Sequence, residues 1–205
     1  DGNVDDYEDD VILKHEKTRR VKEDDRTRIA SELGAHLGPV FLTYRGQDQI
    51  DEAVENIIAH GLPDTMFVAK DGICHETWRI PQGGDFARLF DAIPNSYVAD
   101  GHHRSASASR VCSKRRSENP CHDGNEDYNW FLVVLFPADQ LKILPYNRTV
   151  LDLNGLEQDE FIEKVSESFK LRLSDSSLVD QPGKAKMYIG GNWHELSWDC
   201  GNADP

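Results

Sequence analysis

The chain predicts an α+β fold, a mixed β-sheet with flanking helices. Three observations lead there. Strand-like and helix-like segments follow one another without the regular alternation of a doubly wound parallel sheet. Lys70-Asp71-Gly72 and Gly190-Gly191-Asn192 each sit between two strand-like segments, which is the turn chemistry of antiparallel hairpins. Tyr97-Val98-Ala99-Asp100-Gly101-His102-His103-Arg104 reads as a short strand, a glycine turn and the first turn of a helix, a strand–turn–helix suited to phosphate.

The elements are expected in this order. Residues 11–15 form a short strand after the acidic leader. Residues 21–37 carry Val21, Ile29, Leu33 and Leu37 at helical spacing, with Gly38-Pro39 as the stop. Residues 40–44 are a compact strand, and 50–59 a helix through Ile50, Ala53, Val54, Ile57 and Ile58. Strands 65–69 and 74–80 flank the Asp-Gly turn, and 85–92 is a short helix before Pro94. Strand 96–99 then leads into a helix expected to run to about Cys112. Residues 113–128 are polar and rich in turn formers, which reads as a mobile loop or lid. Residues 129–136 form a buried strand, and 141–150 another, interrupted by Pro145. A helix at 158–169 through Phe161, Ile162, Val165 and Phe169 precedes the final hairpin, 184–190 with 193–198. The domain expectation is an acidic leader at 1–10, a core at 11–155, and a C-terminal α+β extension of the same domain at 156–205 that reads as truncated.

The 205 residues carry 37 acidic and 23 basic side chains, a net charge of -14. A general nucleic-acid binder needs the opposite excess to neutralise phosphates, so DNA is not the expected partner. A local basic pocket for a small phosphorylated ligand remains compatible with that balance. No apolar run approaches the roughly 18 residues of a membrane-spanning helix, and no signal peptide is visible. The four cysteines show no CxxC pairing, which points to free thiols in a reducing cytoplasm. Neither GxGxxG nor GxxxxGK[ST] occurs, so the usual dinucleotide and P-loop signatures are missing.

Three clusters carry candidate chemistry. A helix start offers free N–H groups and partial positive charge, and His102, His103, Arg104 and Ser105 add donors on the turn that Gly101 opens. Asp100 beside them is the natural carboxylate for Mg²⁺, an ion that binds mainly through phosphates plus one or two carboxylates. The second cluster, Lys14-His15-Glu16-Lys17-Thr18-Arg19-Arg20, is the one strongly basic stretch. Arg19 would suit a phosphate and Glu16 a general base, while a solvated basic face explains the same residues equally well. In the third, Pro145-Tyr146-Asn147-Arg148, Arg148 would reach a site from a strand, or face water.

These residues resemble the DUF1015 family. The resemblance rests on His15-Glu16-Lys17-Thr18-Arg19 with Asp25-Arg26, on Gly38-Pro39-Val40-Phe41-Leu42, on Tyr97 to Arg104, and on Leu144-Pro145-Tyr146-Asn147-Arg148, in that order. Members are longer bacterial and archaeal cytoplasmic proteins, so the chain reads as an interior portion of one. They are often labelled ParB-like or SpoOJ-like. The Gly101-His102-His103-Arg104 turn is similar to the phosphate-binding turn of the ParB and sulfiredoxin superfamily, some members of which are free-serine kinases using ADP or ATP. The resemblance implies phosphate binding by Gly101, His102, His103 and Arg104, with Glu16 as the base that deprotonates a serine hydroxyl. The leading expectation is a nucleotide-dependent phosphotransferase acting on a small hydroxyl substrate with Mg²⁺ and ATP or ADP. His103 could instead carry a phosphoryl group or act as general acid, which describes a phosphatase of small phosphorylated metabolites. A non-catalytic nucleotide-binding regulatory module is the alternative from another class. The separation of Glu16 from the His103 and Arg104 side chains is the geometry that discriminates.

Overall fold

Val40–Tyr44 (β3) alternates buried Val40, Leu42 and Tyr44 with partly exposed Phe41 and Thr43. This period of two makes it the inner strand of a sheet with one face turned to a core. Its neighbours are Ser96–Asp100 (β6), antiparallel, and Val133–Pro137 (β8), parallel. Ile12–Leu13 (β2) joins β6 in parallel, giving a mixed four-stranded sheet of order β2-β6-β3-β8. In the computed structural model, residues 1–80, 84–179, 181–199 and 201 are described. They fall into two compact units, Asp1–Lys142 and the residues from Ile143 on.

The first unit also holds Gly2–Asn3 (β1), Val4–Glu8 (α1), Arg20–Leu33 (α2), Asp48–His60 (α3), Thr65–Val68 (β4), Cys74–Thr77 (β5), Phe86–Asp91 (α4), His102–Glu118 (α5) and Trp130–Phe131 (β7). The core joins Val4, Tyr7, Ile12, Val40, Leu42, Val98, Ala108, Cys112 and Phe131. Helix α5 buries Ser105, Ala108, Ser109 and Cys112 along one stripe. Ser, Ala and Cys are small enough for the helix to approach the apolar cluster closely.

The leader is built into this unit. Asn3 caps α1 by accepting the Asp5 N–H at 2.8 Å, β1 pairs with β7, and Val4 and Tyr7 enter the core. Arg116 grips the Asp5 carboxylate with both terminal nitrogens, at 2.6 and 3.0 Å. That pairing holds Asp5 below the ordinary carboxylate range.

Other boundaries shift for identifiable reasons. Helix α2 ends at Leu33 because Gly34 adopts a left-handed cap (φ 62°) and its N–H bonds the Ala30 carbonyl. Helix α5 runs past Cys112 to Glu118, so the first part of the expected lid is helical. The rest, up to Tyr128, is not a loose loop. The Glu126 carboxylate accepts the N–H groups of Asp123 and Gly124 at 3.0 Å each, plus the Asn119 and Asn129 side-chain amides at 3.1 Å. These bonds outweigh the upward push of burial and hold Glu126 down at about 2.

The expected strand at 141–150 is also corrected: no strand forms there. Ile143, Leu144, Tyr146 and Val150 are exposed and no neighbouring strand pairs with them. The second unit comprises Gln158–Ser166 (α6) and an antiparallel sheet of Lys170–Ser174 (β9), Lys184–Ile189 (β10) and Asn192–Ser197 (β11), in the order β10-β11-β9. Among the described residues, no helix is long and apolar enough to cross a membrane.

Candidate functional site

Asp100 ends β6, Gly101 turns the chain and His102 opens α5. Gly101 sits at φ 99°, ψ 24°, a left-handed conformation that side chains enter only with strain. A Cβ here would lie 3.1 Å from Arg104 Nε and Nη2, and 3.3 Å from Val40 Cα. Backbone and guanidinium therefore share a space that only glycine leaves open. No side chain caps α5. Its first bonds run from the Arg104 and Ser105 N–H groups to the Gly101 carbonyl, at 2.8 and 3.0 Å. The N–H groups of His102 and His103 precede the first helical donor, Arg104, and carry the partial positive charge of the helix start.

This turn lines one side of a cleft of about 750 Å³. Glu16 and the α2 residues Lys22, Asp25 and Arg26 line the other. The wall thus offers three cations (Lys22, Arg26, Arg104) against three carboxylates (Glu16, Asp25, Asp100). Two of the carboxylates are engaged: Asp25 takes Arg28 at 3.3 Å and Asp100 takes Arg104 Nη2 at 2.8 Å. The α5 N-terminus tips the balance toward an anion.

The two adjacent histidines have different environments. His102 is only 5% exposed. Its ring meets His15 edge-on, with centroids 4.5 Å apart, and its Nδ1 lies 3.7 Å from Glu16 Oε2. Burial holds the imidazole below its ordinary value, nearby His15 adds to the effect, and Glu16 opposes it. His103 is half-buried, and its Nε2 accepts the backbone N–H of Arg19 at 3.1 Å. The neutral His103 ring then carries its proton on Nδ1. This bond also ties the start of α2 to the start of α5.

Four buried side-chain atoms among the described residues find no hydrogen-bond partner: Thr27 Oγ1, His102 Nε2, Arg104 Nε and Ser107 Oγ. All belong to α2 and the opening turns of α5. Buried polar atoms are ordinarily paired, and three of these four, on His102, Arg104 and Ser107, belong to residues that line the cleft.

Most of the residues expected from sequence converge. Glu16, Asp100, Gly101, His102, His103 and Arg104 share the cleft. Arg19 contributes its backbone N–H at the α2 start, while its side chain is not among the cleft-lining groups. Ser105 is not among the cleft-lining residues: it is fully buried, and its hydroxyl donates to the His102 carbonyl at 3.1 Å. Arg148 belongs to the second unit, where its guanidinium lies over the Tyr146 ring at 3.8 Å. Ser107 and His36 also line the cleft and were not singled out. Ser107 follows His103 by one helical turn, a spacing that carries the signal. Among the described residues, no three His, Cys, Asp or Glu side chains converge on a metal position.

No curated protein and no solved structure matches the chain. A family model described as "Protein of unknown function (DUF1015)" matches residues 2–202. The match takes in β1, the glycine turn and the last strand of the second unit alike. The chain belongs to the DUF1015 family.

Proposed function

We propose that the cleft binds the phosphates of a nucleotide and that the protein is a phosphotransferase acting on a small hydroxyl substrate, with serine the first to test. The observation that carries this reading is the uncapped start of α5, set beside Arg104, Lys22 and Arg26 with unpartnered buried polar atoms around it. The likeness of the Gly101 to Arg104 turn to the ParB and sulfiredoxin superfamily belongs to the same proposal.

Phosphoryl transfer asks the protein mainly for positioning and charge neutralisation. The His102 and His103 N–H groups and the three cations supply the neutralisation. Arg104 already holds Asp100, so a phosphate at the turn would share or take over that guanidinium. With no multi-carboxylate site among the described residues, Mg²⁺ would arrive on the phosphates and take Asp100 as its one protein carboxylate. Glu16, 58% exposed and at the cleft wall, would accept the hydroxyl proton in this reading. The substrate oxygen would then bond the terminal phosphorus, and the shortened nucleotide would leave with the electron pair of the broken P–O bond.

One observation favours a second reading, a binding module without turnover. Glu16 makes its closest described approach to His102, not to His103 or Arg104, and His103 Nε2 is occupied by the Arg19 N–H.

A thermal-shift screen of wild type and Arg104→Ala against ATP, ADP, CTP, phosphoserine and phosphate, with and without Mg²⁺, tests the binding. A ligand at about 100 times its Kd stabilises by about 2.7 kcal/mol, and Arg104→Ala should abolish the shift while keeping the unliganded fold. An unchanged ligand affinity in Arg104→Ala rejects the phosphate reading. Transfer to serine that Glu16→Gln removes without loss of binding supports the enzyme. Binding with no transfer to any small alcohol supports the module.

A further inference from the structure

A second cavity, of about 470 Å³, lies between the C-terminal end of α2 and the outer half of α5. Its size is in the range of small-molecule sites. Ala30, Ala35 and His36 line both this cavity and the cleft, so the two form one continuous trough along α2 and α5. His103 and Val111, on the two parts, are eight residues apart on one helix, about 12 Å at 1.5 Å per residue.

The two parts differ in chemistry. The second has an apolar floor of Ala30, Ala108 and Val111, with the Tyr128 ring in its wall. Tyr128 is fixed before any ligand arrives: its hydroxyl accepts Asn119 Nδ2 at 3.0 Å and meets His122 Nδ1 at 2.9 Å. Glu118 and Asp127 supply carboxylates at the rim, acceptors suited to sugar hydroxyls or an exocyclic amino group. The carbonyl end of α2 closes this part, so its partial charge is negative. Arg115 also lines this part, with its guanidinium donating to the Ser31 carbonyl at 3.3 Å, whereas the start of α5 gathers Lys22, Arg26 and Arg104 and so suits the phosphates better. A flat, mostly apolar ring bearing a hydroxylated sugar fits.

We propose that the trough is a single nucleotide site with a fixed polarity: phosphates at the Gly101 turn, base and sugar in the cavity bounded by Val111, Tyr128 and Asp127. This rests on the phosphate reading above and deepens it, because it assigns the base and sugar a seat of their own beyond the phosphate turn.

Calorimetric titration in Mg²⁺-containing, phosphate-free buffer tests it with two probes, ATP and inorganic tripolyphosphate. Wild type should bind ATP at least about tenfold tighter than tripolyphosphate. Val111→Trp fills the second cavity alone and should bring ATP down to the tripolyphosphate level while leaving tripolyphosphate within about twofold of wild type. Retained tripolyphosphate binding also reports that the variant is folded. Should Val111→Trp fail to fold, Glu118→Trp fills the same cavity from an exposed helix position and carries the same expectation. Wild-type affinities that are equal for the two probes, or a filled cavity that binds ATP as wild type does, overturn the inference and leave the phosphate reading standing. Failure of wild type to bind either probe overturns both.

Discussion

The start of α5 and the carboxylate of Glu195 handle buried polarity in opposite ways. Glu195, on β11, is 6% exposed and its oxygens are saturated. Lys186 Nζ donates at 2.7 Å, Arg172 donates through Nε at 2.9 Å and again through Nη2, and Lys184 Nζ stands 3.6 Å away. Lys186 and Arg172 lead in holding this carboxyl down at about 2. Around Gly101, by contrast, an imidazole nitrogen, a guanidinium nitrogen and a hydroxyl are buried without partners. A saturated node is complete and needs nothing from outside. An unsaturated one costs stability, which fits the anion site proposed for this cleft.

Three substitutions would break or sharpen that contrast. The largest effect is expected from Gly101→Val, which forces a β-branched residue into a left-handed conformation and against Arg104 and Val40. Strain alone should cost about 1–3 kcal/mol, read as a lower urea midpoint, and anion binding should disappear with it. A variant as stable as wild type would show that the turn relaxes freely and is not held open for a ligand.

Glu195→Gln should come next and act on stability alone. Removing the charge leaves Lys186 and Arg172 facing a neutral amide, so the melting temperature should fall with ligand affinity unchanged. The pH dependence has a definite sign. The folded carboxyl titrates at about 2 against an ordinary 4.5, so its contribution is full above about pH 4.5 and is lost as pH falls toward 2. The Gln variant should lack that part of the acid-stability profile. An identical profile would show that the node is not a source of acid sensitivity.

The smallest change is expected from Ser107→Ala. Its hydroxyl is buried without a partner, so its removal should stabilise the unliganded protein by up to about 1 kcal/mol while weakening nucleotide binding. A loss of stability instead would place a water or an unseen partner on that hydroxyl.

Much of this was legible before folding. The compact, mostly apolar segment 40–44 and the one leading to Gly101 gave β3 and β6, because a short apolar run bounded by turn formers is a local pattern. The strand–glycine–helix around Gly101, His103 and Arg104 was readable because strand, glycine and basic residues adjoin in sequence. What was not legible depends on helix phase or on distant partners. Adjacent residues on a helix point about 100° apart, so which of His102 and His103 is buried depends on how α5 sits on the sheet. The stripe of Ser105, Ser109 and Cys112 continues back to His102 and decides it. Glu126 reads as one more acidic loop residue until Asn119 and Asn129 are brought to it. Residues 141–150 have the composition of a strand, yet a strand needs an edge to pair with. In the leader, acidic composition hid Val4 and Tyr7, whose burial depends on Phe131.

Helix α2 buries no residue as a whole, although Thr27 Oγ1 is buried. It meets α5 through Arg110 with Glu23 and Asp24, and through Arg115 with the Ser31 carbonyl. Attachments of this kind are screened by salt and contribute little apiece, whereas the packed face of α5 is insensitive to ionic strength. The trough therefore has one stiff bank and one soft one. Where an anion binds the cleft as proposed, its residence should therefore follow the ionic strength of its surroundings as well as the contacts it makes.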